Sequence, residues 1–385
     1  MTGPRVVVIG GGIVGFATAA FLARGGARVT LIEREAVGAG ASGRNSGSIQ
    51  RPFDPALVGL YDEAVVHHRM VAREMPSAGF TLPDAPSGLL MVTHRPAVAR
   101  ALGAHLAGEN PGLGIEVLEP GAAQVAEPAL ADGVAAIRVP VGYPVVPALP
   151  TYAWAGWAER LGVAVRIGRS AELVREGGRV TGVLVGDRVE LADAVVVAAG
   201  PWTSEIVDPS GVWRPITPLW GVVVDVLLAR PPRHVIEEAE MDAALGTGDI
   251  AGGAGAEPHD PETTPDSSVI TAGGVSCVGS TFLAREPDPE AWTERILVRA
   301  ASFIPGIMDA PIREVRACAR PLAADGRPLV GAVPGVEGLF VCAGHGPWGI
   351  STGPASARQV ADLVLGRDAA IPAAFDPARF GAPPA

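Results

Sequence analysis

The sequence predicts an α/β fold: a discontinuous first domain built on a parallel sheet, with a mixed-sheet α+β domain inserted into it. Three observations carry that prediction. Residues 5–33 read as strand, helix and strand, joined by a glycine-rich turn. Two further apolar strands, at 193–200 and 339–343, run into glycine in the same way. Between these pieces lie long stretches of mixed strands and helices that do not continue a regular βαβ alternation. The expected division is 1–85, 145–215 and 315–375 for the first domain, and 86–144 and 216–314 for the second.

The first unit is the most informative. Arg5-Val-Val-Val-Ile9 is short, apolar and β-branched, as a central parallel strand should be. Gly10-x-Gly12-x-x-Gly15 follows it and opens a helix that runs to Arg24, where Gly25-Gly26 stops it. Gly10 permits the tight turn, Gly12 lets a pyrophosphate approach the backbone, and Gly15 lets helix and strand pack closely. The helix start offers N–H groups and positive dipole to the phosphates. Glu33, at the end of the second strand, can accept the hydroxyls of an adenosine ribose and would repel a 2′-phosphate, despite Arg34 beside it. Strand, helix and acid together make this a Rossmann-type dinucleotide site.

Composition narrows the classes. Of 385 residues 48% are hydrophobic and 18% charged, which fits a globular protein with a large buried core. The net charge of −11 and the lack of a basic cluster disfavour nucleic acid. Cys277, Cys318 and Cys342 are too few and too scattered for a disulfide framework and fit a reducing cytoplasm. The histidines have no metal-ligand spacing, so no metal is expected. No apolar run is long enough to span a bilayer, and the first strand lacks the flanks of a signal peptide.

Downstream, residues 38–48 form a Gly/Ser-rich loop. Helices are expected at 55–74, 96–108, 151–161 and 350–365, and strands at 88–95, 218–229 and 268–283. Residues 237–266 hold nine acids and no Lys or Arg, and read as an acidic surface insertion. The Pro/Ala-rich tail after Gly366 is expected to be loosely ordered.

Five stretches in this order resemble the D-amino-acid oxidase family of FAD enzymes, in particular its glycine oxidase and sarcosine oxidase branches: 8–15, 41–47 (Ala-Ser-Gly-Arg-Asn-Ser-Gly), 195–202 (Val-Val-Val-Ala-Ala-Gly-Pro-Trp), 320–328 (Arg-Pro-Leu-Ala-Ala-Asp-Gly-Arg-Pro) and 344–350 (Gly-His-Gly-Pro-Trp-Gly-Ile). The resemblance covers most of the chain; residues 80–140 and 230–300 match only in general pattern. It implies FAD as cofactor. Ile13 and Val14 would sit in the pyrophosphate turn, and Glu33 and Arg34 would face the adenosine. Ala41, Ser42, Asn45, Ser46, Gly47 and Ser48 would lie along the pyrophosphate and flavin, Ala171 at the adenine, and Gly200 and Trp202 at the end of their strand. Gly344, His345, Gly346, Gly349 and Ile350 would wrap the flavin ring, with a helix start near the atoms that gain negative charge on reduction.

On the substrate side the resemblance gives Arg320 as a carboxylate anchor, the other reading being an ordinary ion-paired surface arginine. Gln50 and Arg51 follow the Gly/Ser loop, and Arg51 is either a second anchor or a surface residue. Trp348 stands where relatives often carry a second cation, which argues against the simplest substrates; it packs on a larger substrate or is structural. Cys318 has the spacing of a covalent flavin attachment, but without visible basic neighbours the reading of a small buried hydrophobe is favoured. No side chain is assigned as catalytic, because hydride transfer from a neutral amine requires no base. The implied reaction oxidises the C–N bond of an amino acid or N-substituted amino acid by hydride transfer to FAD, with oxygen or another acceptor taking the electrons. The alternatives are an FAD-binding electron-transfer subunit and a flavin-dependent hydroxylase, the latter opposed by the order Asp325-Gly326.

Overall fold

The computed structural model describes residues 3–239, 260 and 263–384. Val6 to Ile9 are all buried, so the first strand is covered on both faces. It pairs in parallel with Arg28–Glu33 on one side and Ala194–Val197 on the other. Ala164–Ile167 extends one edge in parallel and Leu339–Ala343 the other, and antiparallel Leu329–Ala332 completes a six-stranded sheet. Helix Ile13–Arg24 packs on helix Gly349–Val364. They approach so closely that a Cβ on Gly353 would meet Val14 Cγ2 at 2.7 Å. Both helices begin at the same edge of the sheet, which is what creates the site.

The second sheet has eight strands among the described residues. Its order is Ile312–Ala323, Ile216–Val226, Val275–Gly279, Ser268–Ala272, Val235–Glu238, Leu89–Thr93, Ala135–Val139, Glu116–Leu118. Neighbours are antiparallel except Val235–Glu238 and Leu89–Thr93. Alternation assigns its faces. Leu90, Val92 and Ile236 pack toward helix Glu290–Ala301, whereas Leu89, Met91 and Val235 pack with Leu102 and Leu106 of helix Pro96–Glu109. Strand Ile312–Ala323 starts before the expected boundary at 315 and lies wholly in this sheet.

Several sequence expectations change. The Gly/Ser loop contains a helical turn, Ala41–Arg44, and a two-residue strand, Ser48–Ile49, paired with Tyr143–Pro144. The strand expected over 268–283 is a hairpin that turns at Gly273 and Gly274, with φ of 59° and 80°. Helix Glu290–Ala301 was not expected: its apolar stripe is only Trp292, Ile296 and Ala300. The acidic insertion does not begin as surface, since Val235–Glu238 is an internal strand and residues 237–239 are buried. The rest of that insertion up to 259, with 261 and 262, lies outside the described residues. The tail docks: Phe375 is buried, Trp213 Nε1 donates to the Gly381 carbonyl at 3.1 Å, and Arg379 pairs with Asp325 at 2.7 Å. No helix among the described residues is long and apolar enough to cross a membrane.

Candidate active site

A continuous cavity of about 1030 Å3 runs from the Gly10 turn to the end of strand Ile312–Ala323. It is at the upper end of the range of about 300–1,000 Å3 for small-ligand sites, enough for a dinucleotide with room beside it.

At one end the turn is a backbone cradle. Gly10 has φ 117°, and a Cβ there would strike the Ala198 carbonyl. A Cβ on Gly15 would strike the Gly10 carbonyl, so Gly15 serves packing and does not line the cavity. Gly12 borders the cavity, and a Cβ on it would crowd Ser42 Oγ at 2.9 Å. Ile13 N–H donates to Ser42 Oγ at 3.0 Å, tying the helix start to the turn 41–44. Glu33 Oε2 accepts from Gly11 N–H at 2.6 Å and Oε1 from Glu35 N–H at 2.8 Å, which fixes the carboxylate and leaves lone pairs for ribose hydroxyls. The Arg34 guanidinium stacks over Trp202, 4.0 Å from the ring centre. Ile13, Val14, Ala41, Ser46, Ser48, Ala171 and Gly200 all border the cavity.

The turn is held in two ways. Asn45 Nδ2 donates to the carbonyls of Ala41 and Ser42 at 3.1 and 3.0 Å, and its Oδ1 accepts from Gly47 N–H at 2.7 Å. Gly47 itself does not border the cavity; it packs against the Val145 carbonyl at φ 86°. From the other sheet, Arg316 donates to the carbonyls of Arg44 and Asn45 at 3.3 and 3.1 Å while its Nη1 sits 2.6 Å from Asp225. The ion pair lies within the eight-stranded sheet and holds Arg316 in place at the cavity wall, so that its other N–H groups can tie the 41–45 turn to that sheet.

The far end is built by the 344–350 turn and by alternation along one strand. Gly344 lies outside the cavity, while His345, Gly346, Trp348, Gly349 and Ile350 border it. His345 is buried, its Nε2 has no hydrogen-bond partner, and burial lowers its pKa to about 4, so the imidazole is neutral. Trp348 borders the cavity and is also part of the main core. Arg316, Cys318 and Arg320 stand two residues apart and share one face. Arg320 Nη1 donates to the Thr281 carbonyl at 2.9 Å and Nη2 to Ser280 Oγ at 2.5 Å, with the guanidinium over Phe282 at 4.6 Å. Gly221 is needed beneath it, since a Cβ there would strike the guanidinium. Burial lowers the Arg320 pKa without neutralising it. Among the described residues no carboxylate pairs with Arg320; Asp266 acts on it only from further away.

Gln50 is buried on the same cavity, with its N–H on Ser351 Oγ at 2.9 Å. Arg51 is not brought in. It does not border the cavity and instead donates to Asn110 Oδ1 at 2.9 Å. Cys318 borders the cavity, but burial outweighs Arg320 and Arg316 and raises its pKa, which opposes thiolate formation. Among the described residues no cluster of His, Cys, Asp or Glu could hold a metal. Sequence reasoning missed Arg316, Trp220, Ser280 and Glu237, all of which border the cavity. Glu237 carried no alternation signal, because Val-Ile-Glu-Glu at 235–238 does not alternate.

Residues 5–363 match the model of a family described as FAD-dependent oxidoreductase (DAO). The chain is similar to the glycine oxidase of Pseudomonas aeruginosa, 28% identical over 404 residues that cover 97% of this chain and 98% of the relative. It shares its fold with the glycine oxidase of Geobacillus kaustophilus (24% identity, TM-score 0.81, 97% and 98% of the two chains). It is also similar to the iminodiacetate oxidase of Chelativorans sp. (25% identity, TM-score 0.78, 97% and 99%). With the glycine cradle, the fixed Glu33 and the two helix starts on one cavity, these likenesses place the chain in the DAO family of FAD-dependent oxidoreductases.

Proposed function

We propose that this enzyme oxidises the C–N bond of an amino acid or N-substituted amino acid, with hydride leaving the carbon next to nitrogen. The imine product then hydrolyses to a keto acid or aldehyde. The observation that carries the reading is Arg320: a guanidinium facing the cavity, pinned at Ser280 and Thr281, with no carboxylate of its own among the described residues. A ligand carboxylate completes it with a charge-assisted, bidentate pair. The related glycine oxidase and iminodiacetate oxidase support the same class by their names.

The residues fit FAD. The Gly10–Val14 cradle takes the diphosphate, Glu33 the ribose, and the start of helix Gly349–Val364 the flavin ring. When bound, FAD supplies a two-electron acceptor for hydride. The chain supplies orientation: Arg320 fixes the carboxylate and so the direction of the neighbouring C–H bond. Trp220, Phe282 and Trp348 wall this end with apolar surface and exclude water. His345 is not an imidazolium at neutral pH, so it supplies neither an acidic proton nor a positive charge there. The electrons leave to oxygen or to another acceptor.

The test is a screen of D-, L- and N-alkyl amino acids for anaerobic bleaching of the yellow enzyme. Bleaching by at least one α-amino acid, and none by the matching amines without carboxylate, is expected. Bleaching by NADH alone, or by simple amines as readily as by amino acids, would overturn the reading.

A further inference from the structure

Two adjacent glutamates in strand Val235–Glu238 meet opposite fates because successive side chains point to opposite faces. Glu238 faces helix Glu290–Ala301, where Arg299 Nε donates to its Oε2 at 3.0 Å. Glu237 faces the cavity. It is 9% exposed, Gln50 Nε2 donates to its Oε2 at 2.9 Å, and no cation pairs with it among the described residues. Burial pushes its pKa up to about 7. Removing a carboxylate from water without a counter-charge is costly, so a retained one in a cavity wall implies a cationic visitor.

Arg320 is the mirror case, a cation in the same wall without an anion. The register sets their separation. Arg320 holds Ser280, the residue after Gly279; Gly279 is the register partner of Ser268, and Ser268 is the register partner of Glu237. The backbone at Ser280, where the Arg320 guanidinium is held, is therefore about two strand spacings, roughly 10 Å, from the backbone at Glu237, and both side chains border the same cavity. A carboxylate and an amine on one carbon bridge about that span, once a hydrogen bond of about 2.8 Å is added at each end.

We propose that Glu237 is the amine-side contact of the substrate: it pairs with the ammonium group of an amino acid held at Arg320 and takes one proton from it. The N–H bond breaks, its electron pair stays on nitrogen, and the proton forms an O–H bond on Glu237. An ion pair becomes a neutral pair, which a buried site favours, and the nitrogen gains the lone pair that hydride departure from its neighbour requires. The inference rests on the amino-acid reading above. The flanking register partners of Glu237, Met91 and Ser268, carry no charge. The other charged or titratable groups that border this part of the cavity include Arg320, Arg316 (engaged by Asp225), Arg44, Cys318, Glu286, Glu314 and neutral His345, with Asp266 behind Ser280.

The test compares holoenzyme with Glu237→Gln and Glu237→Asp. Two quantities are read: anaerobic flavin reduction by the best amino acid of the screen from pH 5 to pH 10, and the affinity for acetate or propionate from the flavin absorbance change. In the wild type, reduction per free substrate should rise with pH through an apparent pKa near 7. In Glu237→Gln that limb should move toward the amine's own titration range, with reduction at neutral pH down roughly 100-fold. Affinity for the amine-free carboxylates should stay or tighten, and Glu237→Asp should restore part of the limb. A Glu237→Gln profile that superimposes on the wild type, or a parallel loss of carboxylate affinity, would overturn the inference alone. A wild type that no amino acid bleaches would overturn the amino-acid reading itself.

Discussion

His68 Nε2 lies 2.9 Å from the carbonyl oxygen of Ile350, the carbonyl that Pro354 leaves without its helical donor. Pro354 stands inside helix Gly349–Val364 and has no N–H to give to the residue four positions back. A neutral imidazole, protonated on Nε2, fills that gap from helix Pro55–Glu74. The bond pins the helix start that borders the cavity, so a core histidine far from the nucleotide turn sets the geometry of the flavin end.

Replacement of His68 therefore separates two effects. His68→Leu should cost about 1–3 kcal/mol, since it strands a buried carbonyl, whereas His68→Gln can still donate and should cost less. The His68 pKa is lowered from 6.5 to about 4 by burial, so the unfolded chain binds the extra proton. That contribution to stability is complete above pH 6.5 and disappears as pH falls toward 4, amounting to up to about 3 kcal/mol. Urea midpoints at pH 7 and pH 4.5 should fall more in the wild type than in His68→Gln. An equal fall in both would remove His68 from the acid sensitivity of the fold.

How much of this was legible in the sequence depends on how local the physics is. Gly10, Gly12, Gly15 and Glu33 act within one strand-turn-helix unit, and their spacing shows what they do. Arg320 was readable from its motif, yet the same strand hid Arg316, whose partners Asp225 and Asn45 are set by sheet pairing and interdomain packing. Gln50 and Arg51 are neighbours, and only the direction of an irregular stretch sends one inward and the other to Asn110. Glu237 was concealed by composition: a run of acids reads as solvated surface, while the first two belong to an internal strand with one charge paired and the other facing the cavity. The His68–Ile350 bond spans 282 residues and has no local signature.

The glycine cradle predicts a split between folding and cofactor retention. Gly15→Ala would force its methyl into the Gly10 carbonyl between helix and strand, so it should destabilise the domain by about 1–3 kcal/mol. Gly12→Ala meets only the Ser42 hydroxyl, whose side chain can rotate, but it puts a methyl where the diphosphate approaches. It should leave the apoprotein stable and lower FAD affinity at least tenfold, measured by flavin fluorescence quenching. Unchanged FAD affinity in Gly12→Ala would show that the diphosphate does not cross that turn.

Cys318 predicts a non-covalent flavin. Nucleophilic attachment needs a thiolate, and burial raises this thiol's pKa against the pull of Arg320, Arg316 and Arg44. Acid precipitation should leave a white pellet and a yellow supernatant, and Cys318→Ser should keep its flavin. Yellow colour that stays with the precipitated protein, and is lost in Cys318→Ser, would make Cys318 the attachment point.

Arg320 can be tested without removing its charge. Arg320→Ala deletes a charge-assisted pair of about 1.5–3 kcal/mol, so the apparent KM for a carboxylate substrate should rise roughly 10- to 100-fold. Gly221→Ala leaves the guanidinium in place chemically but pushes a methyl against it, which should displace it from Ser280 and Thr281. If orientation matters as well as charge, Gly221→Ala should lower kcat along with kcat/KM, because a misplaced carboxylate turns the reacting C–H bond away from its acceptor. Arg320→Lys should fall between the two, keeping a positive point charge without the fork. Steady-state kinetics of the three variants decide the matter. A Gly221→Ala enzyme with wild-type kcat and KM would mean that the guanidinium tolerates displacement, and that its charge alone, at no fixed place, serves the substrate.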